Sequence, residues 1–344
     1  MAVFVITSSR FGEHAPPPGH PERPERQQVM DAVAARWRDL GGPVAEPVPA
    51  PREAILRVHS TRFLDRLESA AGRAAMLDPD TFTSAESWEI TQLAAGAAVG
   101  AVDAVLDGQP TRAAALVRPP GHHSNRDFAR GFCLVNNAAV AAAHALERGL
   151  ARVAIVDFDV HHGNGTQEIF EADPRVLYIS THQWPLYPGT GRADEAGMGA
   201  GRGYTVNVPM ERGATDDDYA LVFDGIVVPV TSRFAPELVI ISAGFDAHEE
   251  DPIGAMRMSA NGFARLTGQL CAVADGCAAG RVVLVTEGGY HLRALAASLA
   301  ASLSAMGGGP QADQVPAAGG GASGRGLAAV QQARAVQSAF WRGL

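Results

Sequence analysis

The sequence contains no lysine; all 28 of its basic residues are arginine. Arginine keeps its charge and offers no ε-amine, and the abundance of Ala, Gly, Arg and Pro points to codon bias in a G+C-rich genome. Charge of any kind is scarce, at 19% of residues against the roughly 25% of ordinary domains. With 47% hydrophobic residues, the chain must fold around a large core, which excludes wholesale disorder. Acidic residues number 37, for a net charge of −9. That balance argues against a nucleic-acid binder, whose affinity comes from clustered positive charge; cationic small molecules or basic peptides stay compatible. The three cysteines, Cys133, Cys271 and Cys277, are too few for a disulfide framework or a thiolate zinc site, so a reducing compartment is expected. The start, MAVFVITSSR, has no basic n-region and an apolar run of only about five residues, too short for a signal peptide. No stretch reaches the ~20 uninterrupted apolar residues of a spanning helix. The expectation is a cytoplasmic protein with no membrane partner.

What is present is an alternation of short β-rich runs with long Ala/Leu-rich segments, the rhythm of strands and crossover helices. Strands are predicted at residues 2–7, 113–117, 153–158, 176–180, 205–208, 238–242 and 282–286. Runs such as VAIV, LVII and VVLV are continuously apolar, as in strands of a parallel sheet buried on both faces. Helices are predicted at 25–40, 54–71, 88–106, 138–148, 217–234, 262–276 and 292–303. The fold class is therefore α/β, a single-domain three-layer sandwich. The loop at 12–24, GEHAPPPGHPERP, holds too many prolines for regular structure. Residues 1–306 read as one domain, 307–326 as a Gly/Ala/Pro-rich linker, and 327–344 as a C-terminal helix packing on that domain.

Four polar clusters follow directly on buried strands. They end in His122 and His123 (ALVRPPGHH), in Asp157, Asp159, His161 and His162 (VAIVDFDVHHGNG), in Asp246 and His248 (LVIISAGFDAH) and in Tyr290 (VVLVTEGGYH). Ligands of an open parallel sheet bind beyond the carboxyl ends of its strands, so these distant segments should meet in one cleft. Asp157, Asp159 and His161 alternate along a strand and its exit, which turns all three to the same side. Buried carboxylates are costly unless paired or metal-bound, and a divalent metal removes that conflict. Asp159, His161 and Asp246 would make three ligands and leave an open position, as catalytic zinc sites do; Zn2+ is favoured, with Fe2+, Mn2+ and Co2+ left open. Of the pair His122 and His123, one would act as base and acid while its neighbour is held by Asp157. Tyr290, on the flexible pair Gly288 and Gly289, could donate to the oxyanion of a tetrahedral intermediate. The chemistry these residues suit is metal-assisted amide hydrolysis.

The strings RPPGHH, GFCLVNNAA, VDFDVHHGNGTQEIF, YPGTG, SAGFDAHEEDPIG and TEGGYH, in this order, make the chain resemble the histone deacetylase superfamily, in its class II-like and bacterial histone deacetylase-like amidohydrolase branch. The resemblance implies the arginase–deacetylase sandwich, with a central, mostly parallel eight-stranded sheet. It implies one catalytic Zn2+ on Asp159, His161 and Asp246, with His123 as general base and acid. By the same resemblance His122 gives electrostatic support and Tyr290 polarises the acetyl carbonyl. An acetyl-lysine tunnel would be lined by Gly131, Phe132 and Tyr187, with Ile253 at its rim and Asp80 as the rim group that holds the substrate backbone. Structural K+ is implied at Asp157, Asp159, His161 and Ser180, and a second cation at Phe170, Asp173, Val176 and Tyr204. Asn164 stands where class I members carry an aspartate, and an amide there should leave His123 with a lower pKa.

These implications lead to a zinc-dependent deacetylase acting on N-ε-acetyl-lysine of proteins or peptides, with acetylpolyamine amidohydrolase as the alternative. A glutamate at position 253 would have suited a charged polyamine, and isoleucine weakens that reading. A two-manganese ureohydrolase is disfavoured by RPPGHH and EGGY, and an inactive acetyl-lysine reader by the completeness of the catalytic set. A homo-oligomer is compatible with the sequence. Single histidines, among them His59, His144, His182 and His291, read as structural, and His14 and His20 as equally rim or solvated residues of the proline-rich loop.

Overall fold

A computed structural model of the chain describes residues 3–108, 110–308 and 323–344. Its strands are β1 (Val3–Ile6), β2 (Val44–Ala45), β3 (Ala75–Asp78), β4 (Thr81–Thr83), β5 (Arg112–Ala115), β6 (Val153–Asp157), β7 (Val176–Gln183), β8 (Thr205–Met210), β9 (Leu238–Ala243) and β10 (Val282–Thr286). Eight of them form one sheet in the order β2-β1-β5-β10-β9-β6-β7-β8. Every pairing in it is parallel, which sharpens the expected mostly parallel sheet to an all-parallel one. The remaining two, β3 and β4, make a separate antiparallel hairpin. Neither that hairpin nor the two-residue edge strand β2 is predicted from the sequence; both are too short to show a period.

Alternate residues of each central strand enter opposite apolar layers. Ala154, Val156, Val239, Ile241, Val282 and Leu284 face one cluster, whereas Val153, Ile155, Leu238, Ile240, Val283 and Val285 face the other. Burying each valine, leucine or isoleucine among them contributes about 1.5–3 kcal/mol, which is why these strands read as unbroken apolar runs. The helices are α1 (Glu25–Asp39), α2 (Arg52–Leu56), α3 (Thr61–Glu68), α4 (Ser87–Leu106), α5 (Asn137–Glu147), α6 (Asn164–Phe170), α7 (Asp216–Val222), α8 (Val228–Phe234), α9 (Ala260–Cys277), α10 (Leu292–Met306) and α11 (Arg325–Gln337). Helices α4 and α5 cover one face of the sheet; α7, α9, α10 and α11 cover the other. Helix α4 is long and apolar enough to cross a membrane, yet most of its Ala and Val positions are buried against the sheet.

Two predicted helices are interrupted. The segment at 54–71 breaks at Ser60, which accepts from Phe63 N as the N-cap of α3. The segment at 217–234 passes through a π-turn at Phe223–Val227, between α7 and α8. Helix α11 is tied to α7 through Asp218, whose carboxylate accepts from Ser323 N, Ser323 Oγ and Gly326 N, and it buries Ala329, Val330 and Ala333. Most of the expected linker, residues 309–322, lies outside the described residues.

Candidate metal centre and active site

The four polar clusters leave the carboxyl ends of β5, β10, β9 and β6, and these are four consecutive strands of the sheet. Neighbouring strand ends lie about 5 Å apart, so residues far apart in sequence are delivered to one spot. There Asp159, His161 and Asp246 bring one ligand atom each within 4.8 Å of one another, all buried. His161 Nδ1 stands 3.0 Å from Asp159 Oδ1 and 3.2 Å from Asp246 Oδ2. Burial works against a charged imidazole, but the two carboxylates outweigh it and push the His161 pKa up to about 10. One imidazolium cannot neutralise two acids, and burial together with Asp159 drives the surplus carboxyl, Asp246, up to about 7.

Two further observations fit a divalent cation to these three residues. Asp246 Oδ2 is buried and, although 3.2 Å from His161 Nδ1, accepts no hydrogen bond; a carboxylate oxygen left so is stabilised by a cation that meets it directly. Glycines leave the space: a Cβ at Gly244 would lie 2.0 Å from Asp159 Oδ2, and one at Gly288 only 2.1 Å from Asp246 Oδ2. Asp246 Oδ1 and Asp159 Oδ1 accept from the backbone N–H groups of Val160 and His161, which fixes the carboxylates in place.

The histidine pair sits alongside, with ring centroids 4.1 Å apart. His122 Nδ1 is 2.9 Å from Asp157 Oδ2, and its Nε2 is 3.8 Å from Asp159 Oδ1. Burial alone would lower the His122 pKa, yet Asp159 and Asp157 raise it well above 6.5. His123 goes the other way, well below 6.5, through burial first and then the cationic His122 and His161. The sequence argument expects the low pKa from the amide of Asn164, but the main cause is burial. Its Nδ1 lies 2.8 Å from that amide. Arg130, against the amide's other end, favours the orientation that turns the NH2 toward Nδ1, whereas a free base at Nε2 needs Nδ1–H donating to the amide oxygen.

Aromatic rings surround the pair. Tyr187 packs edge-on to His123 at 5.0 Å, and Phe132 edge-on to Tyr290 at 5.8 Å and to His20 at 4.5 Å. Gly131, at φ +58°, has room for no side chain, because a Cβ would lie 2.5 Å from His123. Asp80 reaches this wall, but its Oδ1 accepts from Gly131 N and Thr81 Oγ1, and Thr81 Oγ1 accepts from Phe132 N. Here it holds the backbone that bears Phe132. Ile253 lies on the turn after Asp251; its neighbour Pro252 lines, with Tyr290 and Pro16–Pro18, a cavity of about 670 Å³. Ser180 pairs in register with Asp157, and its Oγ meets His182 Nδ1 at 2.9 Å. The carbonyls of Phe170, Asp173 and Tyr204 each accept one backbone N–H, and the Asp173 carboxylate is engaged by Arg175. Val176 N is the donor to Asp173 O.

Sequence reasoning misses a second buried cluster next to Tyr290. Glu22 takes Arg118 in a two-point pair and Arg26 Nη1 at 2.9 Å, with His14 Nε2 at 3.5 Å. Arg26 also donates to the carbonyls of Glu287 and Gly289 and stacks over the Tyr290 ring at 5.0 Å. It misses Glu287 as well, which accepts from the backbone of Gly121 and His122 and from Ser242 Oγ. The GHPERP run that supplies Glu22 was legible only as a proline-rich loop. His20 from that loop is half-buried and held in place: its Nε2 donates to Asp80 O and its Nδ1 accepts from Glu22 N.

Fold and site together define a hydrolase with a metal-type centre at the carboxyl edge of a parallel sheet. Residues 20–306 match the Histone deacetylase domain, and the chain belongs to that family. It is 41% identical over 295 residues to a "Probable deacetylase" of Archaeoglobus fulgidus, covering 85% of this chain and 82% of that one. Similarity to the "Histone deacetylase-like amidohydrolase" of Pseudomonas aeruginosa is 41% over 281 residues, covering 79% and 73%. The human "Polyamine deacetylase HDAC10" is 40% identical over 352 residues, which cover 94% of this chain but only 50% of that protein. Among solved structures, the HDA15 HD domain superposes with a TM-score of 0.91 at 37% identity, over 99% of this chain and 95% of the other. The chain is accordingly a deacetylase-type hydrolase of amides, and its family is one of zinc-dependent enzymes.

Proposed function

We propose that the substrate is the N-ε-acetyl-lysine side chain of proteins or peptides, cleaved to lysine and acetate. The observation that carries this reading is the aromatic wall of Phe132 and Tyr187 beside His123 and Tyr290. Apolar walls suit an uncharged acylated chain and disfavour a free ammonium. Asp159, His161 and Asp246 would hold zinc, which when bound polarises a carbonyl and makes water acidic. His123, neutral because its pKa is low, accepts a proton from the attacking water and returns it to the amine nitrogen as the C–N bond breaks. That role calls for the Nδ1–H tautomer, with the Asn164 amide oxygen as acceptor. Asp157 holds His122 in its cationic form beside the site, where it favours developing negative charge. Tyr290, whose burial keeps its phenol protonated, donates a hydrogen bond to the carbonyl oxygen as that oxygen becomes an oxyanion. Potassium at Asp157, Asp159, His161 and Ser180, and a second cation at Phe170, Asp173, Val176 and Tyr204, belong to the same proposal, as does the rim role of Ile253.

The second reading, an acetylpolyamine substrate, is favoured by the likeness to a polyamine deacetylase. Turnover of an acetyl-lysine peptide measured beside acetylputrescine and acetylspermidine decides between them. The peptide should win in kcat/KM by at least about tenfold, a difference of 1.4 kcal/mol in transition-state binding; preference for the free polyamines would overturn the lysine reading.

A further inference from the structure

We infer that Asp251 is a positioning residue for Tyr290, a role that rests on the proposed oxyanion function of that tyrosine. The loop that carries Tyr290 contains Gly288 and Gly289, the latter at φ +118°, so it has little stiffness of its own. Its position must be imposed from outside, and it is gripped on both sides. Arg26 takes the carbonyls of Glu287 and Gly289. On the N–H side, Asp251 Oδ2 accepts from Tyr290 N at 2.7 Å and from His291 N at 3.2 Å. The other oxygen of the same carboxylate accepts from Ile253 N at 3.0 Å, so one buried side chain joins the rim turn to the tyrosine. That turn is itself anchored: a Cβ at Gly254 would lie 2.1 Å from the carbonyl oxygen of Asp246, so it packs directly on the backbone of a proposed metal ligand. Asp251 touches the backbone of Tyr290 and of Ile253 but no reacting atom, and its influence on the reaction passes through where the phenol stands.

The test uses the full zinc-loaded chain with Asp251→Ala, Tyr290→Phe and the double variant, on an acetyl-lysine and a trifluoroacetyl-lysine peptide. Fluorines stabilise the oxyanion within the substrate, so that substrate depends less on the tyrosine. Asp251→Ala should lower kcat on the acetyl peptide about 10- to 100-fold, part of what an oxyanion donor supplies. KM and zinc content should stay unchanged, and the loss on the trifluoroacetyl peptide should be several-fold smaller. In the Tyr290→Phe background, adding Asp251→Ala should change kcat by less than about twofold, since residues acting through one another are not additive. Equal losses on both substrates, full additivity, or an unchanged kcat would each overturn the inference. Should Asp251→Ala fail to fold, Asp251→Asn keeps the volume and one acceptor and is read by the same criteria. A fully active Tyr290→Phe would overturn the oxyanion role itself, and this inference with it.

Discussion

Two buried ionic clusters lie near Tyr290, and they solve the same physical problem in opposite ways. Around Glu22, two arginines and a histidine surround one carboxylate, and its oxygens all have partners. Around Asp159, two carboxylates share the imidazole of His161, and Asp246 Oδ2, 3.2 Å from its Nδ1, accepts no hydrogen bond. The first cluster is closed and holds segments together; the second is short of positive charge and ready to take a cation. Burial is common to both, so only the balance of charge separates a structural cluster from a site.

Breaking the open cluster should have the largest effect on activity. Asp246→Ala is expected to lose metal and turnover together, by about 10³-fold or more, the several kcal/mol a Lewis acid supplies at 1.4 kcal/mol per tenfold. Retained turnover at full chelation would contradict this. Tyr290→Phe should keep zinc and lose about 10²–10³ in kcat, the usual value of one oxyanion donor. In the closed cluster, Glu22→Gln leaves two buried arginines without their carboxylate and should destabilise the fold by about 3–5 kcal/mol, read by denaturant unfolding.

The same glutamate gives the comparison a pH signature. Burial would raise its pKa, but Arg118 and Arg26 bring it down to about 2. A carboxyl depressed on folding contributes stability that is complete above its unfolded value of about 4.5 and is lost as pH falls toward 2. Stability of the native chain should therefore decline across that window, and a Glu22→Gln variant should lack that part of the slope. The smallest effect concerns His123. Because burial and two cationic neighbours lower its pKa, the acid limb of kcat/KM should have its midpoint below pH 6.5. A midpoint above that value would assign the base elsewhere.

How much of this was legible in the sequence follows from the same contrast. Asp157, Asp159 and His161 stand out because polar residues end an apolar strand, and Asp246 and Tyr290 do so for the same reason. The parallel sheet was legible because strands buried on both faces carry no polar alternation. Glu22, Arg118 and Asp251 are single charged residues in proline-rich or turn segments and Arg26 stands in the first turn of α1, and residue type alone sends such groups to the surface. Their burial is decided by partners as many as 263 positions away, as for Arg26 and Gly289, which no local pattern reports. Helix α6 was overlooked because its residues, NGTQEIF, run on from the HHG of the site and read as part of a loop.

One catalytic cation would complete the unmatched charge of Asp159, His161 and Asp246. Titrating zinc into chelator-treated protein while following turnover and Tm in the same sample tests it most directly. One equivalent per chain should restore full activity and raise Tm together, and Asp246→Ala should show neither response. Two equivalents for full activity, or turnover indifferent to zinc, would contradict it.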